Sequence, residues 1–241
     1  MPTFRESSEL KFPSHNMTTI KANSFSIYQD AVLKKAGDRF IYRGVTCVDS
    51  HMLIPKVGRY PRFTGLEDSK MISQERFILK RFRREGCSYS HVPYSSLWEW
   101  LSLGQHHGLP TRLLDWTRNP LVSLFFAVRD SHSGDSAVYA DRIEKSFDPD
   151  KTKDPFSVTM VGKYIPTHIS PRITAQAGLF TVHPDPRSEH KSKHLLKIVV
   201  PQKCREEFKR ILFKYGVHHA SLFPDLDGLA RHIEYCQTDK Y

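Results

Sequence analysis

Apolar residues recur along the chain at spacings that predict a mixture of helices and strands. Residues three and four positions apart predict amphipathic helices, and short apolar runs predict buried strands. The predicted helices are residues 25–35, 67–84, 95–103, 120–129, 206–215 and 227–235. The predicted strands are residues 40–45, 137–140, 179–183 and 195–200. Residues 53–63 have the composition of a loop, residues 142–154 that of a surface segment, and residues 165–174 that of an extended segment.

The order of these elements bounds the fold class. The strands concentrate in the middle and late parts of the chain, which favours an α+β fold. We expect a single domain with a central mixed, mostly antiparallel sheet flanked by helices, because 241 residues fit one large domain and nothing divides the sequence. Residues 1–23 are expected to form a polar N-terminal lead-in, and residues 24–241 the folded domain.

The chain is basic, with a formal net charge of +10. Much of this charge lies in residues 80–84 and 191–197. Such clusters raise the local concentration of polyanions, which favours nucleic acid or a phosphate-rich cofactor as a ligand. They are equally typical of a solvated basic surface, so charge alone does not name a ligand.

The sequence also bears on the cellular compartment and on whether disulfides or metal sites are expected. No apolar run approaches the roughly 20 residues of a membrane span. Residues 1–16 carry no basic-then-apolar signal pattern, so we expect a cytoplasmic protein with no membrane partner. Neither a disulfide framework nor a metal site is indicated, because CxxC, HxH and HExxH spacings are absent. The four widely spaced cysteines are Cys47, Cys87, Cys204 and Cys236.

Residues 105–120 combine many hydrogen-bonding and ionisable side chains with a few apolar ones, and the apolar run 121–128 follows directly. A buried polar group without a partner costs roughly 1–3 kcal/mol. This density of polar groups therefore favours a strand or turn that delivers side chains to a cleft, followed by a helix that anchors it in the core. We place the candidate site in this segment.

Arg43 adds a charged group on the predicted strand 40–45. An unpaired guanidinium in the core would be costly, so Arg43 needs an anion. That anion is either an internal carboxylate such as Asp115, or the pyrophosphate or ribose of a ligand. Arg112 poses the same question, and two arginines near one acid would suit a dinucleotide phosphate. We therefore expect Arg43, Arg112, His106 and Asp115 to converge.

Four separated motifs carry a resemblance to one family. They are Tyr42-Arg43-Gly44, then Gln105-His106 with residues 108–117 and Asn119-Pro120, then Arg172 with residues 175–181, and finally residues 221–230. Together they resemble the FRG domain family, which is named for its aromatic-Arg-Gly triplet. The resemblance extends over about residues 24–234, and we assign residues 24–241 to the FRG domain. Because that family occurs mostly in bacteria and phages, often near defence systems, the resemblance implies a role in anti-phage defence or as a toxin.

The order of these motifs also resembles that of ADP-ribosyltransferases. Those enzymes present an Arg or His at the end of a first strand, a Ser/Thr-bearing strand followed by a helix, and a later Glu or Gln near the acceptor. Arg43, then Thr111 or Thr117, then Gln176 follow that order. The resemblance implies an ADP-ribosyltransferase-like fold with NAD as the substrate. The chain departs from the pattern because no acid lies near Gln176, whose amide can orient a substrate but cannot act as a base.

This second resemblance gives each candidate residue a role. Asp115 would stabilise positive charge on a ribosyl carbon, and His106 would hydrogen-bond a ribose hydroxyl or move a proton. With Gln176, which would orient the acceptor, they are the candidate catalytic residues. The candidate NAD-binding residues are Tyr42, Arg43, Thr111, Arg112, Thr117 and Phe180.

Several of these residues have structural alternatives. Thr117 and Asn119 are typical N-cap residues before the predicted helix. Phe180 has the character of a core residue as much as of a flat surface for a base. His106 and His107 would face opposite sides of a strand, so only one can enter the cleft, and we choose His106.

Three functions follow from these residues. The first is a NAD-using ADP-ribosyltransferase that needs no metal and acts on a nucleic-acid or protein acceptor. The second is a non-catalytic module that binds a nucleotide or a phage component, and the third is a nucleic-acid hydrolase that uses His106 and Asp115. The missing acid near Gln176 favours the binding module, whereas the density of polar groups in residues 105–119 favours an enzyme. We take the transferase as the working hypothesis.

Overall fold

One mixed sheet organises the molecule. The computed structural model describes residues 17–37, 39–89, 96–167 and 171–238. The seven strands of these residues have the order β1-β7-β4-β2-β3-β6-β5, in which β1 and β7 are parallel and all other neighbours antiparallel. This confirms the predicted α+β fold with a mostly antiparallel sheet. The strands are β1 (Thr18–Lys21), β2 (Ile41–Val45), β3 (Leu113–Thr117), β4 (Ser136–Asp141), β5 (Gly162–Tyr164), β6 (Gly178–Val182) and β7 (Leu196–Val200).

Nine α-helices accompany the sheet within the described residues. They are α1 (Phe25–Ala31), α2 (Pro61–Thr64), α3 (Asp68–Gly86), α4 (Leu97–His106), α5 (Pro120–Val128), α6 (Pro171–Ala175), α7 (Arg205–Lys214), α8 (His219–Leu222) and α9 (Leu226–Thr238). A π-helix at Val32–Ala36 extends α1, and short 3₁₀ helices lie at Lys56–Arg59 and Gln202–Cys204. None of the helices in the described part of the chain is both long and apolar enough to cross a membrane.

Two groups of helices cover one face of the sheet and leave a gap between them. Helices α1, α5 and α7 pack on the β7, β4 and β2 side, and α3 and α4 pack on the β3, β6 and β5 side. Tyr42 on β2 is paired with Thr117 on β3, and residues two apart on a strand share a face. Thr117 and Asp115 therefore point to the face that the helices cover, as does Leu113, which packs with α3 and α4. The position of Asp115 is thus set by the sheet.

Helix α5 packs on β2 at very short range. Its N-terminus is capped by Asn119, whose Oδ1 accepts hydrogen bonds from the backbone N–H groups of Leu121 and Val122, and Pro120 occupies the first turn. A Cβ atom on Gly44 would lie 1.9 Å from the carbonyl oxygen of Ser123. Gly44 is therefore required for the close approach of α5 to β2.

Several local predictions were wrong. Residues 18–21, assigned to the lead-in, form β1, and β5 was not predicted. The segment 165–174 was expected to be extended, but helix α6 begins at Pro171, a residue that suits the first helical turn. The segment 53–63, expected to be a loop, contains a 3₁₀ helix and the start of α2. Residues 1–16, 95 and 168–170, which also carried predictions, lie outside the described residues.

Candidate functional site

A cavity of about 460 Å³ lies where β2 and β3 separate. These two strands are in register at one pair, Tyr42 and Thr117. Residues of both strands line the cavity, together with residues of β6, of the last turn of α4, of α5 and of α6, and with Arg59. A volume of this size accommodates a small-molecule ligand.

Asp115 is the acidic centre of the cavity. Its carboxylate accepts hydrogen bonds from Gln105 Nε2 at 3.0 Å (Oδ1) and 2.9 Å (Oδ2). Arg43 Nη1 lies 3.4 Å from Asp115 Oδ2. The side chain of Asp115 remains 56 % exposed, so it is oriented by its neighbours and still accessible to a ligand.

Thr111 acts on Asp115 through Gln105. The Thr111 hydroxyl donates to Gln105 Oε1 at 2.6 Å and accepts from the backbone N–H of Leu113 at 3.1 Å. Because the amide oxygen of Gln105 faces Thr111, its NH₂ group faces the Asp115 carboxylate. Thr111 is buried and is not among the residues that line the cavity. The expectation that it contacts NAD directly was wrong, since its hydroxyl instead orients Gln105.

Arg43 lies on a core strand, as expected, and lines the cavity. Its Nη1 donates to the Asp115 carbonyl oxygen at 2.8 Å, next to the contact with the carboxylate. Among the described residues, its buried Nε has no hydrogen-bond partner. Burial lowers the pKa of the guanidinium, and the Asp115 carboxylate opposes that shift. Arg43 thus has the internal partner that the sequence suggested and still has donors that no described residue uses.

Arg112 does not belong to the cavity. It is fully buried and forms a bidentate ion pair with Glu75 of α3, in which Nε donates to Oε1 at 3.0 Å. Its guanidinium also lies 4.9 Å from the ring centroid of Phe156. The expected convergence of Arg112 with Arg43 and Asp115 was therefore wrong, because Arg112 ties β3 to α3.

His106 lines the cavity from the last turn of α4. The expectation of a strand at this position was wrong, since His106 is helical and His107, the residue after the helix, is exposed. Burial, followed by the positive charge of Arg172, lowers the pKa of His106. The imidazole is therefore neutral at pH 7 and able to accept a proton.

Thr117 and Gln176 join β3 to the turn before β6. The Thr117 hydroxyl donates to the Gln176 carbonyl oxygen at 2.7 Å and accepts from the backbone N–H of Asn119 at 3.0 Å. Gln176 Nε2 donates to the carbonyl oxygen of Leu222 at 3.0 Å. Both residues line the cavity, but these side-chain groups are already engaged with the backbone.

Two aromatic candidates also line the cavity. Tyr42 and Phe180 are 4 % and 5 % exposed, and each packs in a hydrophobic cluster. Their rings therefore form part of the wall and part of the core at once.

Sequence reasoning missed most of the positive charge in the cavity. Arg59, Arg129 and Arg172 line it with Arg43, whereas Asp115 and Asp130 are its lining carboxylates. Arg172 belongs to one of the motifs that resemble the FRG family, but the sequence assigned it no role. Arg59 and Arg129 lie outside those motifs, in separate segments, so the sequence did not indicate that they line a cavity. The cavity is consequently cationic. In the described residues, no group of three or more His, Cys, Asp or Glu side chains could hold a metal ion.

Comparison with known proteins identifies one domain. The family model described as FRG domain matches residues 38–136, which include the triplet Tyr42-Arg43-Gly44 and all of β3 and α5. No curated protein and no solved structure matches the chain. The wider bounds of residues 24–241 stay a prediction. The chain therefore contains an FRG domain.

Proposed function

We propose that the cavity binds NAD and that the chain is an ADP-ribosyltransferase-type enzyme acting on a nucleic-acid or protein acceptor. The observation that carries this proposal is a single oriented carboxylate, Asp115, in a cavity lined by four arginines. Guanidinium groups suit the pyrophosphate of a dinucleotide, because their fork of N–H donors matches phosphate oxygens. The cavity volume, about 460 Å³, also suits part or all of such a ligand.

Each residue then has a chemical task. NAD supplies an activated bond between nicotinamide and ribose, and positive charge develops on the ribosyl carbon as that bond breaks. A carboxylate fixed beforehand stabilises such charge, and Gln105 fixes Asp115. Arg43 would hold the pyrophosphate, and neutral His106 would accept the proton of the attacking acceptor group. Gln176 would position the acceptor through the turn that it stabilises.

The resemblance of the motifs also suggests a biological setting. We propose that this activity serves in anti-phage defence or as a toxin, since modification of a nucleic acid or a protein would block phage growth. Expression in bacterial cells, with and without phage infection, would test this role. Growth arrest by the wild type and not by Asp115→Asn supports it, and equal growth of both contradicts it.

The biochemical test uses purified protein, NAD labelled in the ADP-ribose part, and a mixture of nucleic acids and proteins. We expect release of nicotinamide and transfer of label, both lost in Asp115→Asn. Asp30→Asn is the matched control, because Asp30 is an exposed aspartate of α1 that pairs with Lys34 and does not line the cavity. Absence of nicotinamide release from the wild type contradicts the enzyme.

A binding module without turnover is the second candidate. It is favoured by Gln176, whose Nε2 is committed to the Leu222 carbonyl, and by the absence of an acid near it in the sequence. This module would bind NAD or another nucleotide with measurable affinity and release no nicotinamide. Calorimetric titration with NAD and the turnover assay together distinguish the two candidates.

A further inference from the structure

Two of the cavity's arginines share one aromatic ring. The guanidinium of Arg172 lies 4.4 Å from the ring centroid of Phe223, and that of Arg129 lies 5.9 Å from the same centroid. Arg129 is also 5.1 Å from the centroid of Phe126. Stacking of this kind holds a guanidinium by its flat face and leaves the in-plane N–H donors free for an anion.

The ring of Phe223 is held in a rigid setting. A Cβ on Gly228 would lie 2.0 Å from the Phe223 carbonyl oxygen, so α9 packs tightly against this residue. The Asp225 carboxylate accepts from the backbone N–H of Gly228 at 2.7 Å. Gln176 ties the preceding residue, Leu222, to the turn after α6. These contacts fix the backbone around Phe223, whose ring is the shared packing surface of both guanidinium groups.

Within the described residues, Arg129 has an ion-pair partner and Arg172 has none. Arg129 Nε pairs with Asp130 at 3.1 Å. Among the described residues, no carboxylate lies within ion-pair distance of Arg172. Burial, followed by Arg129, lowers the pKa of Arg172, while Asp225 and Asp115 raise it and Arg231 lowers it. With no such partner among the described residues, the guanidinium of Arg172 is available to an anionic ligand.

These two arginines have different contacts from Arg43. Arg43 donates to Asp115 on β3, whereas Arg129 and Arg172 pack on Phe223, the residue that follows α8. All three arginines line the same cavity as Asp115. The cavity thus offers guanidinium donors at two places with different neighbours.

We propose that Arg129 and Arg172, stacked on Phe223, form a second anion subsite that binds the phosphodiester backbone of a single-stranded nucleic-acid acceptor. The subsite rests on the proposed function, in which Arg43 holds the pyrophosphate of NAD. A nucleic acid fits better than an acidic protein segment, because the chain carries a net charge of +10 and the guanidinium forks match phosphate. An acceptor bound here would place its reacting group near Asp115 and His106, which line the same cavity.

The test measures fluorescence anisotropy of labelled single-stranded DNA and RNA oligonucleotides of about 12 nucleotides, without NAD. Arg172→Gln and Arg129→Gln are each expected to weaken binding about tenfold. Each should also reduce the slope of log affinity against log salt by about one. The control is Arg210→Gln, which removes the same charge from an exposed position on α7 and is expected to bind as the wild type does. Melting curves establish that the variants are folded, and Arg172→Lys should bind more weakly than the wild type despite its charge.

Three outcomes overturn the subsite: no oligonucleotide binding by the wild type, equal weakening in all three Gln variants, or wild-type binding by Arg172→Gln and Arg129→Gln. Label transfer to proteins without oligonucleotide binding also overturns it, and leaves the transferase in place. Oligonucleotide binding that depends on Arg172 and Arg129, in a protein that neither binds nor cleaves NAD, supports the subsite and contradicts the transferase.

Discussion

At the scale of the residue, the geometry of Asp115 depends on a short chain of hydrogen bonds. Thr111 fixes the amide orientation of Gln105, and Gln105 donates to both carboxylate oxygens of Asp115. An amide that could rotate would present its oxygen to the carboxylate for part of the time, which is repulsive. Thr111 is thus a positioning residue whose hydroxyl acts on the cavity without touching it.

Thr111→Val tests this positioning. Loss of the hydroxyl frees the Gln105 amide, so we expect turnover of NAD to fall at least about tenfold while NAD affinity changes less than about twofold. The backbone N–H of Leu113 also loses its acceptor, which lowers the free energy of unfolding by about 1–3 kcal/mol. Thr111→Ser keeps both hydrogen bonds and should restore turnover. Equal turnover in Val and Ser variants at a temperature where both are folded contradicts this role.

Arg43→Lys and Arg112→Lys form a matched pair. Arg43 faces a cavity and Arg112 is enclosed with Glu75, so the same loss of the guanidinium fork has different consequences. Arg43→Lys should weaken NAD binding about tenfold with a small change in melting temperature. Arg112→Lys should lower the free energy of unfolding by roughly 2–3 kcal/mol, with NAD affinity per folded molecule unchanged. Calorimetric titration and chemical denaturation of both variants check this, and the reverse pattern would contradict our assignment.

The segment in which the sequence placed the candidate site contributes residues to the cavity, but Thr111 and Arg112 do not line it. Residues 105–117 do contain Gln105, His106 and Asp115, because polar density is a local signal. The ion-pair partner of Arg112 is distant in the sequence, but the position of Glu75 could have indicated it. Glu75 lies four residues from Met71 and from Leu79, on the buried face of α3. A carboxylate at such a position needs a buried cation.

At the scale of the element, amphipathic patterns were reliable only where they were long. Helix α3 has 19 residues with a repeated apolar face, and α5 is almost entirely apolar, so both were predicted. Strand β1 has one apolar residue, Ile20, and lies at the edge of the sheet, where burial does not dictate composition. Short edge elements are therefore specified by pairing with neighbours and not by their own pattern.

Gly44→Ala tests the contact between β2 and α5. The added methyl group would meet the Ser123 carbonyl oxygen and the Ala127 backbone nitrogen, so helix and strand must move apart. We expect the free energy of unfolding to fall by at least about 1–3 kcal/mol, and NAD binding to weaken because Gly44 and Ser123 both line the cavity. Gly65→Ala is the control, since nothing lies within 4 Å of its added methyl group and its φ is negative. Chemical denaturation that gives equal stability for the two variants would show that the close contact is not required.

At the scale of the whole molecule, the hydrophobic and polar patterns of the sequence did not predict the order of the strands in the sheet. They favoured a mixed sheet, but the pairing of β1 with β7 joins residues from opposite ends of the chain. The cavity depends on the same long-range order, because β2 and β3 separate after one registered pair. Arg59, Arg129 and Arg172 meet Arg43 only once this topology is formed, which is why the cationic character of the cavity could not be read from one segment.

The free energy of unfolding of the whole molecule should depend on pH because the imidazole of His183 is buried. His183 is 2 % exposed and shares a hydrogen bond with the Thr181 hydroxyl, which also accepts from Trp116 Nε1. Burial, followed by the neighbouring imidazole of His190, lowers the pKa of His183 from 6.5 to about 3. Below pH 6.5 the unfolded chain therefore binds a proton that the folded chain does not, so the free energy of unfolding falls as the pH falls towards 3.

This group alone should lower the free energy of unfolding by roughly 2 kcal/mol between pH 7 and pH 5. The pKa values of His51, His106, His218 and His219 are also lowered, mainly by burial, so their effects on stability have the same sign. Urea denaturation at a series of pH values should show a smaller loss of stability between pH 7 and pH 5 in His183→Gln than in the wild type, because glutamine does not titrate. His107→Gln is the control, because it replaces an exposed imidazole and shows how the loss of a solvent-accessible histidine changes the pH dependence of stability. If His183→Gln and His107→Gln show the same dependence on pH as the wild type, proton uptake by His183 on unfolding does not contribute to the acid sensitivity of the fold.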